Sequence, residues 1–275
     1  MSVNVTGTTK ILGIFGDPVA HTLSPRMHNA AFRALGLNMM YLPFEVARHN
    51  LEGAIGGIRA LNLLGVNLTH PHKTGALDLL DEVSNEVKEI GAVNTVVNRE
   101  EILVGYNTDG TGFVKSLKDD YGFDPRGKRI VVMGAGGAGR AICWALNREN
   151  PERLTLVNRT FEKAEILARS VGACPLPWND LQVESEICEA QLVVNTTSTP
   201  MDLNPLLVSE KQLIYDIVYN QKETPFITAV REKGARIGNG MSMLLHQGVL
   251  AFELWTGEKA PLEIMRRALF NVAKK

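Results

Sequence analysis

The sequence predicts an α/β fold in two domains, the second built on a parallel sheet. Three observations carry this. Short apolar and β-branched runs alternate with helical patterns along the chain, as parallel strands covered by helices require. One such run, Arg129–Met133, leads directly into Gly134-Ala135-Gly136-Gly137-Ala138-Gly139 and then a helical pattern. At 275 residues the chain has the length of about two domains.

The elements follow in order. Ile11–Gly16 is an apolar run ending in Gly-Asp-Pro, a strand closed by a turn. Ser24 is expected as N-cap and Pro25 as first residue of a helix with the apolar stripe Met27, Ala30, Ala31, Ala34 and Leu35. Tyr41–Val46 reads as a strand, Leu51–Leu61 as a helix weakened by glycines, and Leu64–Thr69 as a third strand. Asp78–Ile90 carries a helical pattern broken near Ser84. Ala92–Val97 and Ile102–Tyr106 resemble a hairpin turning at Asn98–Glu101. After Asp109 a new unit begins with helix Gly112–Asp119 and the turn Asp124–Lys128. Strand Arg129–Met133, helix Gly137–Arg148, strand Arg153–Val157 and helix Phe161–Ser170 follow, then strands Leu192–Thr196 and Leu213–Val218. Helical patterns over Ser242–Leu254 and Leu262–Ala273 close the chain. The expected domains are residues 1–109, completed by the C-terminal helices 242–275, and residues 110–241.

Composition narrows the function classes. Hydrophobic residues make up 45% and charged residues 21%, an ordinary globular balance. Lys plus Arg is 29 against 30 for Asp plus Glu, a net charge of −1, and the cations do not interleave with aromatics. That argues against a nucleic-acid partner. No apolar run reaches the roughly 18 residues of a membrane span, and the start has no apolar leader core. Cys143, Cys174 and Cys188 are few, odd in number and form no C-x-x-C. Reduced thiols and a cytoplasmic location are expected. His70 and His72 resemble a metal pair, but Pro71 between them and the lack of a third clustered ligand favour a loop role, and no metal is expected.

The glycine turn points to a dinucleotide. Its first glycine permits the tight turn, its second removes a side chain where a pyrophosphate approaches, and its third lets the helix pack against the strand. The helix N-terminus then offers unbonded N–H groups to the phosphates. At the end of the next strand an NAD site usually carries Asp or Glu, which bonds the ribose 2′-hydroxyl. Here the residues are Asn158, Arg159 and Thr160. A carboxylate repels a 2′-phosphate, whereas a guanidinium pairs with it, so the cofactor expected is NADP.

The first half of the chain concentrates short polar residues at strand ends: His21–Pro25, Asn67–Lys73, Asn94-Thr95 and Asn107–Asp109. Hydroxyls and carboxamides there suit a polyhydroxylated small molecule. Singly, each has a plainer use: Ser24 as a helix cap, Asn107–Asp109 as an Asx-turn, Lys73 as a surface cation.

Together these residues resemble a known family. GDPVAHTLSPRMHN, NLTHPHK, GAVNT, GYNTDGTG, GAGGAGRA, NRT, NTTS and MSMLLHQG occur in the order and spacing of shikimate dehydrogenases, from about Gly13 to about Gly248. The resemblance implies an N-terminal substrate domain, an NADP-binding Rossmann domain, and reduction of 3-dehydroshikimate to shikimate with NADPH in aromatic amino-acid biosynthesis. It implies catalytic roles for Lys73 and Asp109, and substrate contacts for Thr22, Ser24, Asn67, Thr69, Asn94, Tyr219 and Gln247. Gly134, Ala135, Gly136, Gly137 and Ala138 match the phosphate turn. Asn158, Arg159 and Thr160 match the 2′-phosphate site, and Ile217, Gly240 and Met243 the nicotinamide lining. Thr22 departs from the pattern, since shikimate-specific members usually carry serine there. The added methyl tightens the carboxylate pocket and leaves a quinate/shikimate dehydrogenase of broader specificity as an alternative. A non-catalytic NADP-sensing protein is a second alternative, opposed by the presence of both Lys73 and Asp109. A monomer or homodimer is expected.

Overall fold

The computed structural model describes residues 5–199, 201, 203–219 and 224–271. The fold is α/β, and the chain forms two compact units: one runs to Thr108 and resumes at Leu244, the other is Asp109–Met243.

The first unit contains strands β1 (Lys10–Gly16), β2 (Met39–Glu45), β3 (Gly65–Leu68), β4 (Glu82–Val83), β5 (Thr95–Arg99) and β6 (Ile102–Tyr106). They form one sheet in the order β2-β1-β3-β5-β6-β4. β1 lies parallel to β2 and β3, whereas β5 runs antiparallel to both β3 and β6. This reversal sets the position of the polar segments. The ends of β1, β3 and β6 and the beginning of β5 all reach one edge of the sheet. Helices α1 (Ser24–Ala34), α2 (Leu51–Ala60) and α3 (Asn85–Ile90) follow β1, β2 and β4. The β5–β6 turn is a two-residue one, with Glu100 and Glu101 at φ 52° and 74°. The Glu101 N–H closes it by donating to Asn98 Oδ1 at 2.9 Å, and paired positive φ suits the twist of the flanking strands.

Two expectations for this unit are corrected. Asp78–Ile90 is not a broken helix. Leu77–Leu79 forms a 3₁₀ turn and Glu82–Val83 pairs with β6, so only Asn85–Ile90 is α-helical. Ser84 caps that helix by accepting from the Val87 N–H at 3.3 Å. Ser24 is likewise not an N-cap: Leu23 holds that position, and Ser24 is the first helical residue, with Pro25 in the first turn. The buried face of α1 is Ser24, Met27, His28, Ala31 and Phe32, while Ala34 and Leu35 are exposed.

His28 sits wholly inside this unit. Its ring stacks on Tyr41 at 4.5 Å and meets Trp255 edge-on at 5.4 Å. Neither ring nitrogen has a hydrogen-bond partner among the described residues. Burial pushes its pKa from 6.5 down to about 3. The unfolded chain therefore binds a proton that the folded one refuses, and His28 removes stability as pH falls from about 6.5 toward 3. The slope is about 1.4 kcal/mol per pH unit. His28→Met, of similar volume, is expected to flatten the acid limb of a urea-denaturation profile between pH 6.5 and 4.5. An unchanged limb would assign the acid sensitivity elsewhere.

The second unit is a doubly wound Rossmann unit. Its strands are β7 (Arg129–Met133), β8 (Arg153–Asn158), β9 (Cys174–Pro177), β10 (Leu192–Asn195), β11 (Leu213–Asp216) and β12 (Arg236–Asn239). All pair in parallel, in the order β12-β11-β10-β7-β8-β9. Side chains alternate across the sheet: Ile130, Val132, Leu154, Leu156 and Val194 enter one core, Val131, Met133, Val157 and Val193 the other. Helices α4 (Asp109–Tyr121), α5 (Gly137–Arg148), α6 (Phe161–Val171), α7 (Gln182–Glu189) and α8 (Pro225–Glu232) belong to this unit. Helices α9 (Gly240–Thr256) and α10 (Leu262–Phe270) follow. β9, α7, α8 and β12 had no counterpart in the sequence reading, and α4 starts at Asp109 rather than Gly112. The strand order reverses between β7 and β10, and a crevice opens there beyond the carboxyl ends. Among the described residues no helix is long and apolar enough to cross a membrane.

Candidate active site

The cofactor side lies in the second unit. Gly134 directly follows β7 with φ 110°, left-handed backbone that a side chain rarely adopts. A Cβ on Gly139 would stand 2.1 Å from the Gly134 carbonyl, so that glycine lets α5 close on the strand. Gly136 differs. A Cβ there would meet no atom of the chain within 4 Å. Packing therefore gives no reason for a bare backbone at Gly136, and a ligand approaching the α5 N-terminus does. Gly137 and Ala138 form the first turn of α5, half-buried, and Ala135 is buried.

A cavity of about 460 Å³ opens over this turn, lined by Gly134, Ala135 and Gly136, by Asn158, Arg159, Thr160 and Lys163, and by Trp178 and Thr197–Thr199. Asn158 braces it: Oδ1 accepts from the Ala135 N–H at 3.1 Å and Nδ2 donates to the Thr160 carbonyl at 2.7 Å. Arg159 and Lys163 are exposed, and among the described residues neither side chain has an ion pair or hydrogen bond. Two uncommitted cations and no carboxylate line this end, the electrostatics a 2′-phosphate requires. The residues thus fit NADP. Thr160 holds the N-cap position of α6 without a side-chain cap bond.

The sequence reading gave no role to Lys163, Trp178 or Thr196, the last of which stands in the NTTS segment. Lys163 carried a signal, standing one helical turn after Thr160. Thr196 donates to the carbonyls of Met133 and Gly134 at 2.9 and 3.1 Å and pins the glycine turn to β10. Ile217, Gly240 and Met243 gather in this unit. A Cβ on Gly240 would stand 1.7 Å from the Ile217 carbonyl, and the Met243 N–H donates to the Tyr215 hydroxyl at 3.2 Å. Asp216, beside Ile217, accepts from Asn195 and from the Val218 and Met201 N–H groups, and burial raises its pKa.

The polar side lies in the first unit. Thr22 Oγ1 and Ser24 Oγ stand 3.3 Å apart at the N-terminus of α1. The first turn of that helix has no acidic residue, so its dipole favours a carboxylate there, although the Ser24 N–H donates to Thr22 Oγ1 at 3.3 Å, the Arg26 N–H donates to the Leu23 carbonyl at 3.1 Å and Pro25 has no N–H. Asn67 pairs with Thr95 across β3 and β5, and Thr95 with Tyr106 across β5 and β6. Asn94 accepts from the Thr108 N–H at 2.8 Å, and its Nδ2 donates to Thr108 Oγ1 at 2.9 Å and to Gln247 Oε1 at 3.5 Å. Thr69, half-buried, follows β3.

Lys73 is half-buried, and its carbonyl accepts from the Val93 N–H at 2.7 Å, next to Asn94. Asp109 directly follows Thr108 and is 4% exposed. Val93 and Asn94 together thus tie the loop carrying Lys73 to the strand end preceding Asp109. Lys73 stands on the first unit and Asp109 opens the second. Tyr219, half-buried, also lies on the second unit, and Gln247 on the first. His72 is buried and donates from Nε2 to the Val46 carbonyl at 2.7 Å, while His70 is exposed.

Known proteins share this organisation. Residues 14–96 match the shikimate dehydrogenase substrate binding domain. Residues 117–225 match the shikimate / quinate 5-dehydrogenase family, and residues 240–270 the shikimate 5′-dehydrogenase C-terminal domain. The shikimate dehydrogenase (NADP(+)) of Desulforamulus reducens is 42% identical over 98% of both chains. That of Moorella thermoacetica is 45% identical over 97% of this chain and 95% of its own. The crystal structure of shikimate 5-dehydrogenase from Thermus thermophilus in complex with NADP(H) and shikimate superposes with a TM-score of 0.86 at 37% identity, covering 95% of this chain and 99% of that one. On this full-length likeness, and on the glycine turn and polar sheet edge that it spans, the chain belongs to the shikimate dehydrogenase family.

Proposed function

We propose that the protein is an NADP-dependent shikimate dehydrogenase that reduces 3-dehydroshikimate to shikimate in aromatic amino-acid biosynthesis. The observation that carries the reading is the NADP-type rim after β8, where Asn158 replaces the acid and Arg159 and Lys163 face the cavity. NADPH supplies the hydride when bound. The chain supplies everything else. Gly134–Ala138 and the α5 N-terminus hold the pyrophosphate, Arg159, Thr160 and Lys163 the 2′-phosphate, and Ile217, Gly240 and Met243 the nicotinamide. Thr22 and Ser24 hold the substrate carboxylate beside the positive end of the α1 dipole, and Asn67, Thr69, Asn94, Tyr219 and Gln247 read the ring substituents and the carboxylate. Ketone reduction develops negative charge on oxygen, and Lys73 with Asp109 supplies and holds the proton that neutralises it.

Initial rates with shikimate and quinate, each with NADP and NAD, test this. Strong turnover of shikimate with NADP alone is the expected result. Comparable turnover of quinate would mean that the pocket formed by Thr22 together with its neighbours is wider than the threonine methyl alone implies, and NADP binding without turnover of either acid would make the protein a sensor. Cys143, Cys174 and Cys188 are free thiols, in keeping with a cytoplasmic enzyme, and we read its assembly as monomer or homodimer.

A further inference from the structure

We propose that Tyr41 and Thr95 are positioning residues that make Asn67 a pure hydrogen-bond acceptor toward the substrate, so that it selects a ring hydroxyl by that hydroxyl's proton. The inference rests on the functional reading above and deepens its substrate specificity.

The polarity follows from backbone groups whose roles are fixed. The Asn94 carbonyl can only accept, so the Asn67 amide atom facing it at 3.1 Å is the nitrogen. The second proton of that nitrogen goes to Thr95 Oγ1 at 3.0 Å. The Thr108 N–H can only donate, which makes its partner on Asn94, at 2.8 Å, the amide oxygen. Thr95 gives its own proton to that oxygen at 2.9 Å and must therefore accept from Asn67. Both donors of Asn67 are used inside the protein. Its oxygen takes the Tyr41 hydroxyl proton at 2.7 Å. An amide oxygen has two lone pairs, so among the described residues one remains for a ligand.

These hydrogen bonds are buried and braced by packing. Tyr41 and Thr95 are fully buried, and Asn67 is 5% exposed. The Tyr41 ring stacks on His28 at 4.5 Å and lies 5.9 Å from Trp255, whose indole N–H donates to the Val96 carbonyl. A substrate hydroxyl can donate to Asn67, whereas a fluorine or carbonyl oxygen at the same point meets a lone pair and is repelled.

Tyr41→Phe keeps the ring and its stack and removes only the proton that aligns Asn67. Leaving a buried acceptor short costs about a factor of 5–20 in the affected equilibrium. The KM for shikimate is expected to rise about 5- to 20-fold, with kcat within about threefold of wild type and the KM for NADP within about twofold. Thr95→Val should move the shikimate KM in the same direction, and Thr95→Ser, which restores the hydroxyl, should return it to within about twofold of wild type. A residue that only maintained the fold would move both Michaelis constants and the melting temperature, and the serine variant would not discriminate. Folded Tyr41→Phe and Thr95→Val with wild-type shikimate KM would overturn the inference while leaving the functional reading intact. Absence of shikimate turnover by the wild-type protein would defeat that reading, and this inference with it.

Discussion

Lys73→Ala is expected to lower shikimate turnover by roughly 10²- to 10⁴-fold, and Asp109→Ala by a similar factor, the span a general acid–base group contributes. The corresponding rise in barrier is roughly 3–5 kcal/mol. The effect should fall on kcat. In the proposed roles, both groups act where charge develops during reduction, so the loss appears in the transition state rather than in ground-state binding. NADP binding provides the internal control, since the cavity over the glycine turn is lined by neither residue. Its dissociation constant should stay within about twofold of wild type in both variants. A deuterium label on the transferred hydride sharpens the test. If removing Lys73 makes the chemical step rate-limiting, with hydride and proton moving together, the isotope effect on kcat grows; a smaller hydride effect beside a larger solvent isotope effect would make proton transfer a separate slow step. Near-normal turnover in either variant would remove that residue from the mechanism.

Asp109→Ala carries a second consequence. Asp109 is 4% exposed and begins α4, where a carboxylate favours the helix dipole. Its loss should therefore cost some stability as well as activity. Asp109→Asn, which keeps the shape, separates the two. The asparagine variant should regain most of the lost melting temperature and little of the lost turnover.

The fold was legible where the signal is local. Arg129–Met133, the glycine turn and Gly137–Arg148 were placed at their observed limits, because β-branched residues, a left-handed glycine and a helix start follow one another without interruption. The expectation failed where tertiary packing overrides local pattern. β9 contains Pro175 and Pro177, which speak against a strand, yet it is an edge strand where a missing N–H costs no ladder bond. α7 was hidden because its inner face includes Glu186, a carboxylate 9% exposed that is tied to Arg153 at 2.9–3.0 Å and to Thr155 at 2.8 Å. Asp78–Ile90 has helical spacing, but its first part is drawn into a two-residue pairing with β6. The polar sheet edge could be guessed from residue types at strand ends. Its hydrogen-bond polarity could not, because Tyr41, Asn67 and Thr95 meet across 26–28 residues of sequence.

Removing both cations at the end of the cofactor cavity, by Arg159→Ala with Lys163→Ala, is expected to raise the NADP Michaelis constant about 10²-fold or more, with the NAD constant within about twofold of wild type. Each single variant should lose roughly tenfold, since a charge-assisted hydrogen bond contributes about 1.5–3 kcal/mol and exposed pairs fall at the low end of that range. The two losses need not add, because both cations face the same phosphate. Salt gives an independent readout. Raising ionic strength should weaken NADP binding to the wild-type protein and leave the double variant nearly indifferent, as screening acts only on charges that are present. Equal damage to NADP and NAD would make the two residues structural. That outcome conflicts with their exposure and with their lack of side-chain partners among the described residues. The reverse change is expected to fail. Asn158→Asp supplies the carboxylate of an NAD site but loses the Nδ2 that donates to the Thr160 carbonyl at 2.7 Å, and sets an anion against that carbonyl. The brace that shapes the glycine turn then loosens, so affinity for both cofactors should fall together, and a shift in preference toward NAD requires the Thr160 loop to be rebuilt as well.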